Sequence, residues 1–104
     1  MQKNLLEYKP TLLDDFREIE IFFIQMIGVE MIVKVYLAKI KEEIRILENP
    51  LIKGEKVRFA ETEFQKIPIL RGRFIVFFRM KSGTTKEIFH IKPAQTNYRF
   101  TIHQ

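Results

Sequence analysis

The sequence predicts an α+β fold: a short N-terminal strand and an antiparallel helical hairpin packed on a mostly antiparallel sheet of four or five strands. Two observations carry this reading. Apolar residues recur at helical spacing before Asn49-Pro50 and at strand spacing after it. Charge divides at the same place. Residues 1–50 hold 7 Lys/Arg against 9 Asp/Glu, a net of −2, whereas residues 51–104 hold 11 against 4, a net of +7. A near-neutral helical support carrying a cationic sheet points to a polyanion or an acidic protein as partner.

Each element has its own signal. Asn4–Lys9 is a short strand ended by Pro10. Thr11 reads as an N-cap, with Asp14 and Asp15 in the first turns, where the helix dipole favours carboxylates. Leu12, Phe16, Ile19, Phe23 and Ile27 then form one apolar face. Gly28 breaks that helix. A second runs from about Val29 to Glu48, with Ile32, Tyr36, Ile40, Ile44 and Leu47 on its stripe, and Asn49-Pro50 stops it. The short connection makes the two helices antiparallel neighbours.

Beyond Pro50, Val57 and Phe59 alternate with Lys56 and Arg58 as on a half-buried strand. Ile67–Leu70 is another short strand, with Pro68 placing it at an edge or bulge. Phe74–Phe78 is apolar on both faces and should be central. Lys81–Thr85 is a turn, Glu87–Lys92 the returning strand, and Tyr98, Phe100 and Ile102 alternate as a last strand or extended tail.

With 104 residues, 46% hydrophobic and 30% charged, the chain is expected to form a single domain, 1–104, able to bury a core. The absence of cysteine excludes a disulfide scaffold, a thiolate metal site and a cysteine nucleophile. Met1-Gln-Lys-Asn is too polar to open a secretion signal, so a cytoplasmic location is expected. The most apolar stretch, Ile19–Val33, is 15 residues long and holds Glu20, Gln25 and Glu30, too short and too charged to span a membrane.

The order of elements resembles the RelE/ParE superfamily, the toxins of bacterial type II toxin–antitoxin pairs. Three stretches carry the likeness: Tyr8-Lys-Pro-Thr-Leu-Leu-Asp-Asp-Phe-Arg-Glu-Ile19, Ile40-Lys-Glu-Glu-Ile-Arg-Ile-Leu-Glu-Asn-Pro50 followed by Gly54, and Gly72-Arg-Phe-Ile-Val-Phe-Phe-Arg79 followed by a turn and Glu87–Ile91. The resemblance implies a toxin that arrests growth and stabilises plasmids, held inactive by a cognate antitoxin. RelE-like members cut mRNA on the ribosome; ParE-like members poison DNA gyrase. The nuclease branch usually carries an Arg where this chain has Phe74, with Arg73 adjacent, and a His or Lys followed by Arg where it has Lys92-Pro93. The resemblance therefore implies a ParE-like toxin acting by binding a cellular target, DNA gyrase or the ribosome and its mRNA. The alternatives are a RelE-like ribosome-dependent mRNA endonuclease, a non-toxic basic nucleic-acid-binding domain, and an inactive toxin relic.

Arg71, Arg73, Arg79, Lys92 and Arg99 are the expected target face, with Arg71, Arg73 and Arg79 at odd positions that share one side of the sheet unless a bulge at Gly72 intervenes. As catalytic groups for phosphate chemistry, Arg73, Arg79, His90, Tyr98 and Arg99 are the candidates, without matching a known catalytic pattern. His90 and His103, without cysteine, make no metal site, and no cofactor is expected. Asp14, Asp15 and Glu18 are read as helix-start charge. The first helix also carries Ile21, Phe22, Ile24 and Met26, so it is apolar nearly all round. A domain this small covers one side of such a helix. The excess either packs against the end of the second helix or forms an exposed patch, which the resemblance implies is the antitoxin-binding surface or the contact of a homodimer through the first helix.

Overall fold

Proline at residue 10 sets where the first helix begins, and that phase positions everything packed against it. In the computed structural model, which describes residues 2–94, strand β1 (Leu5–Tyr8) leads into helix α1 (Pro10–Ile27) and helix α2 (Glu30–Ile44), closed by a 3₁₀ turn at Arg45–Glu48. Strands β2 (Glu55–Phe59), β3 (Thr62–Ile69), β4 (Phe74–Met80) and β5 (Thr85–Pro93) follow. They form one five-stranded sheet in the order β1-β5-β4-β3-β2, antiparallel except for the pairing of β1 with β5. The expected final strand through Tyr98, Phe100 and Ile102 lies outside the described residues. No helix of the described chain is long and apolar enough to cross a membrane.

Pro10 occupies the first helical position, where its missing N–H is not needed, and Lys9 stands at the N-cap. Thr11 is therefore not the cap. Its hydroxyl instead donates to the Phe89 carbonyl at 2.6 Å. Gly28 ends α1 with φ +74°, its N–H bonding the Ile24 carbonyl at 2.9 Å, a conformation glycine adopts without steric penalty.

Helix α2 buries Val33, Leu37, Ile40 and Ile44, and Leu47 is buried in the turn that follows, so the expected stripe holds at Ile40, Ile44 and Leu47 while Val33 and Leu37 replace Ile32 and Tyr36. Both pairs satisfy the helical period, and packing selects the one displaced by a residue in the first two turns. Ile32 is left exposed, as is Ile27 of α1. Between helices and sheet, the core joins Leu12, Ile19 and the α2 stripe to Ile69, Phe74, Val76, Phe78, Ile88 and Ile91. On the opposite face a smaller aromatic cluster of Phe59, Phe64, Phe77 and Phe89 packs with centroids 5.2–6.2 Å apart. Both faces of β4, the middle strand, are thus buried, as its sequence predicts.

Two irregularities shape the sheet. Phe77 pairs with His90 but Phe78 with Ile88, so Phe89 is an extra residue, a bulge in β5. The bulge moves the core-facing set of β5 from even to odd numbers, and Ile88 and Ile91 both reach the core. Strands β2 and β3 are joined by the two-residue loop Ala60-Glu61, with Ala60 at φ +53°. Pro68 lies beyond Lys66, the last β3 residue paired to β2, so its missing N–H breaks no bond on that side.

Lys86 is fully buried and anchors the exit from the helices. Its ammonium donates to the carbonyls of Leu47, Asn49 and Ile52 at 2.9, 3.1 and 3.0 Å. Burial pushes its pKa down, yet three acceptors match the three donors of the charged form and not the two of a neutral amine. Lys86→Met keeps the apolar stem and strands three carbonyls. Denaturant unfolding should show a loss of about 2–4 kcal/mol; a loss under about 0.5 kcal/mol would mean that water reaches those carbonyls in place of the ammonium.

Candidate functional site

Strand β1 is only four residues long, and its pairing with β5 ends at Tyr8 opposite Ile88. Past that point, among the described residues, the outer edge of β5 has no strand beside it. Helix α1 takes the place of one. The Lys9 N–H bonds the Ile88 carbonyl, the Thr11 hydroxyl bonds the Phe89 carbonyl, and the Asp15 carboxylate accepts the Ile91 N–H at 3.0 Å. Pro93, next in the alternation, has no N–H to satisfy.

The same carboxylate gathers the two polar side chains flanking Ile91. Asp15 Oδ2 meets His90 Nδ1 at 2.9 Å and Oδ1 accepts from Lys92 Nζ at 2.8 Å. All three are buried, at 5% exposure for Asp15, 2% for His90 and 9% for Lys92. Burial raises the Asp15 pKa, but the bonds from His90, Lys92 and the Ile91 amide outweigh it, and the net result lies below the ordinary carboxyl value. Since an ionised carboxylate only accepts, the His90 proton on this side sits on Nδ1. This cluster borders a cavity of about 350 Å³ whose other walls include Ile19, Phe22, Phe23 and Phe74.

Asp15 is thus not merely helix-start charge. It lies three residues after Leu12 and four before Ile19, on the buried stripe itself. A lone carboxylate at that spacing is the signal that it has a buried partner.

The expected target residues do not share one face. Arg71 and Arg73 are exposed in the turn between β3 and β4, not on a strand, so counting odd numbers does not align them with Arg79. Arg79 sits at the other end of β4, about 20 Å away at strand rise. Its Nε donates to Glu87 at 3.2 Å and its guanidinium covers the Phe89 ring at 5.0 Å. Glu87 also pairs with Lys9, and Glu7 joins Lys9 to Lys81, which together hold the Glu7 carboxyl below its usual value. Lys92 is buried against Asp15, and His90 lies with it. Tyr98 and Arg99 fall outside the described residues.

Around Arg71 and Arg73 the structure adds residues that the sequence did not single out. Tyr36, Lys39 and Glu43 of α2 and Leu70 close a shallow concavity of about 490 Å³ with the two arginines.

Of the two expected fates of the apolar excess of α1, the structure shows exposure. Phe22 is 55% exposed and Met26 70%, with Ile21 and Ile24 beside them. The first residues of α2 extend the patch through Met31, at 76%, Ile32 and Val35. Exposed large apolar side chains are thus concentrated around the turn of the helical hairpin.

No family model and no curated protein matches the sequence. Among solved structures, a chain of the chromosomal ParDE TA system from P. aeruginosa superposes with a TM-score of 0.75 at 17% identity, over 89% of this chain and 98% of that one. At that identity the likeness speaks to the fold. The chain has the RelE/ParE-like α+β fold that its order of elements predicts.

Asp15→Asn sets three buried donors, the His90 ring, the Ile91 N–H and the Lys92 ammonium, against an uncharged amide and should destabilise by about 3–5 kcal/mol in denaturant unfolding. The pH dependence has a fixed sign. Because the folded pKa of Asp15 is depressed from 3.8, its contribution is complete above that value and is lost as pH falls through the folded one. The parent protein should lose stability on acidification through that window, and Asp15→Asn should lose correspondingly less. Parallel acid profiles for the two proteins would remove Asp15 as the source.

Proposed function

We propose that the chain is the toxin of a type II toxin–antitoxin module, nearer the ParE than the RelE kind. On this reading it acts in the cytoplasm by binding a cellular target, and a cognate antitoxin neutralises it. The observation that carries the proposal is the fold shared with a chain of a ParDE TA system over nearly the whole length of both. The exposed hairpin tip supports it, since Ile21, Phe22, Ile24 and Met26 offer a partner the apolar area that affinity needs. The outward arginines Arg71 and Arg73 remain the target-facing candidates.

Two observations favour target binding over RNA cleavage. Arg73 and Arg79 stand at opposite ends of β4, too far apart to act on one phosphate. His90 is buried in the Asp15 cluster, where a substrate proton does not reach it.

Tightly controlled expression should arrest growth, and co-expression of the neighbouring open reading frame should restore it. Arrest should come with gyrase-linked DNA breaks and intact mRNA; codon-phased mRNA cuts would instead establish the endonuclease. Normal growth at verified soluble expression would overturn the toxin reading in favour of a nucleic-acid-binding domain or a relic. Phe22→Asp, which changes an exposed residue, should keep arrest but lose rescue and co-purification of the neighbour by tenfold or more, roughly the effect of one central apolar anchor. Arg71→Asn with Arg73→Ala should weaken arrest while leaving rescue intact.

A further inference from the structure

Five of the ten described cations of the basic half are already engaged. Lys66 pairs with Glu55, Arg79 with Glu87, Lys81 with Glu7 and Lys92 with Asp15, and Lys86 is buried against three carbonyls. The concavity between α2 and the β3–β4 turn is different. Among the described residues no ion pair engages Lys39, Arg71 or Arg73, although the three converge there.

The turn is also held in a costly shape. Leu70, Arg71 and Gly72 take φ of +49°, +56° and +83° in succession, and two of the three carry side chains that disfavour it. Glu43 fixes the turn by accepting the Leu70 N–H at 3.0 Å. The Tyr36 ring is fixed edge-on against Phe23 at 4.7 Å. Rigid walls and unpaired cations are the features of a preorganised anion site.

We propose that this concavity binds a phosphate monoester through Lys39, Arg71 and Arg73. The charge balance selects the ligand. Three cations less the Glu43 carboxylate leave two positive charges, which match a phosphate monoester, near −2 at neutral pH, better than a single carboxylate. Free phosphate and the 5′-phosphate of a nucleotide share this chemistry. The inference goes beyond the toxin reading and needs no growth phenotype, so either can fail alone.

Amide chemical shifts of the purified chain, titrated at constant ionic strength with inorganic phosphate, AMP or adenosine, test it. Saturable shifts should appear at Lys39 and residues 70–73 with phosphate and AMP, and not with adenosine. AMP binding tenfold tighter than phosphate would identify a nucleotide as the source; equal affinity would identify the bare phosphate group. Shifts of equal size at Lys53, Lys56 and Arg58, or no saturation, would overturn the site. Arg71→Asn tolerates the left-handed backbone and should weaken binding about fivefold, as should Lys39→Ala. Glu43→Gln keeps an acceptor for Leu70 and removes the opposing charge, so binding should tighten about threefold. Arg17→Ala, on α1, should bind as the parent does. A Glu43→Gln variant that binds no tighter, or an Arg71→Asn variant that binds equally well, would sink the proposal.

Discussion

The structure depends on one buried carboxylate. A strand edge left bare beside a helix would leave donors and acceptors without partners. Here β1 is too short to cover β5, and the side chains of α1 finish the work that another few residues of strand would have done. Asp15 is the decisive one, because it satisfies the Ile91 amide and neutralises Lys92 while orienting His90. A helix held to a sheet only by apolar contact could slide along it. Three directional bonds to one carboxylate fix its register, and with it the direction in which the far end of α1 projects.

That projection has a consequence for the helical hairpin. The buried stripe of α1 includes Leu12, Asp15 and Ile19, and from Ile21 onward its large apolar residues are exposed or half-buried. The second half of the hairpin therefore stands clear of the core, and its sequence is no less hydrophobic there. Burial that intramolecular packing does not supply remains available to a partner. The basic half shows the complementary economy: internal pairs absorb much of its charge, and what stays outward is concentrated at a strained turn and on β2. Net charge by halves overstates the cationic surface, because Lys86 and Lys92 are interior residues.

How much of this the sequence announces varies by element. Helix periodicity, the Gly28 break and the doubly buried run Phe74–Phe78 are strong signals because each involves several residues acting together. The β2–β3 hairpin is nearly silent: Ala60-Glu61 contains none of the Gly, Asn or Asp that such turns favour, so Ala60 adopts φ +53° without advertising it. The Phe89 bulge defeats alternation, since a one-residue insertion exchanges the two faces of β5 midway. Lys92 reads as a surface cation because its cover is the Asp15 carboxylate of a distant helix, which strand alternation does not reveal. The one legible hint of the buried cluster is local, a carboxylate on the apolar stripe of α1.

The geometry of α2 ties the two candidate surfaces together. Val35, in the apolar patch, and Lys39, in the basic concavity, are one helical turn apart, and Tyr36 lies between them. On the toxin reading, a partner seated on the hairpin tip need extend only about 6 Å along α2 to stand over Lys39, Arg71 and Arg73. Neutralisation then requires no distortion of the fold. Covering the unpaired cations is sufficient, because a target or a phosphate group that must reach them would find the concavity occupied. A rigid sheet-and-helix body anchored at Asp15 suits that arrangement, since on this reading affinity at the tip is converted into occlusion of the concavity and not into movement of the chain.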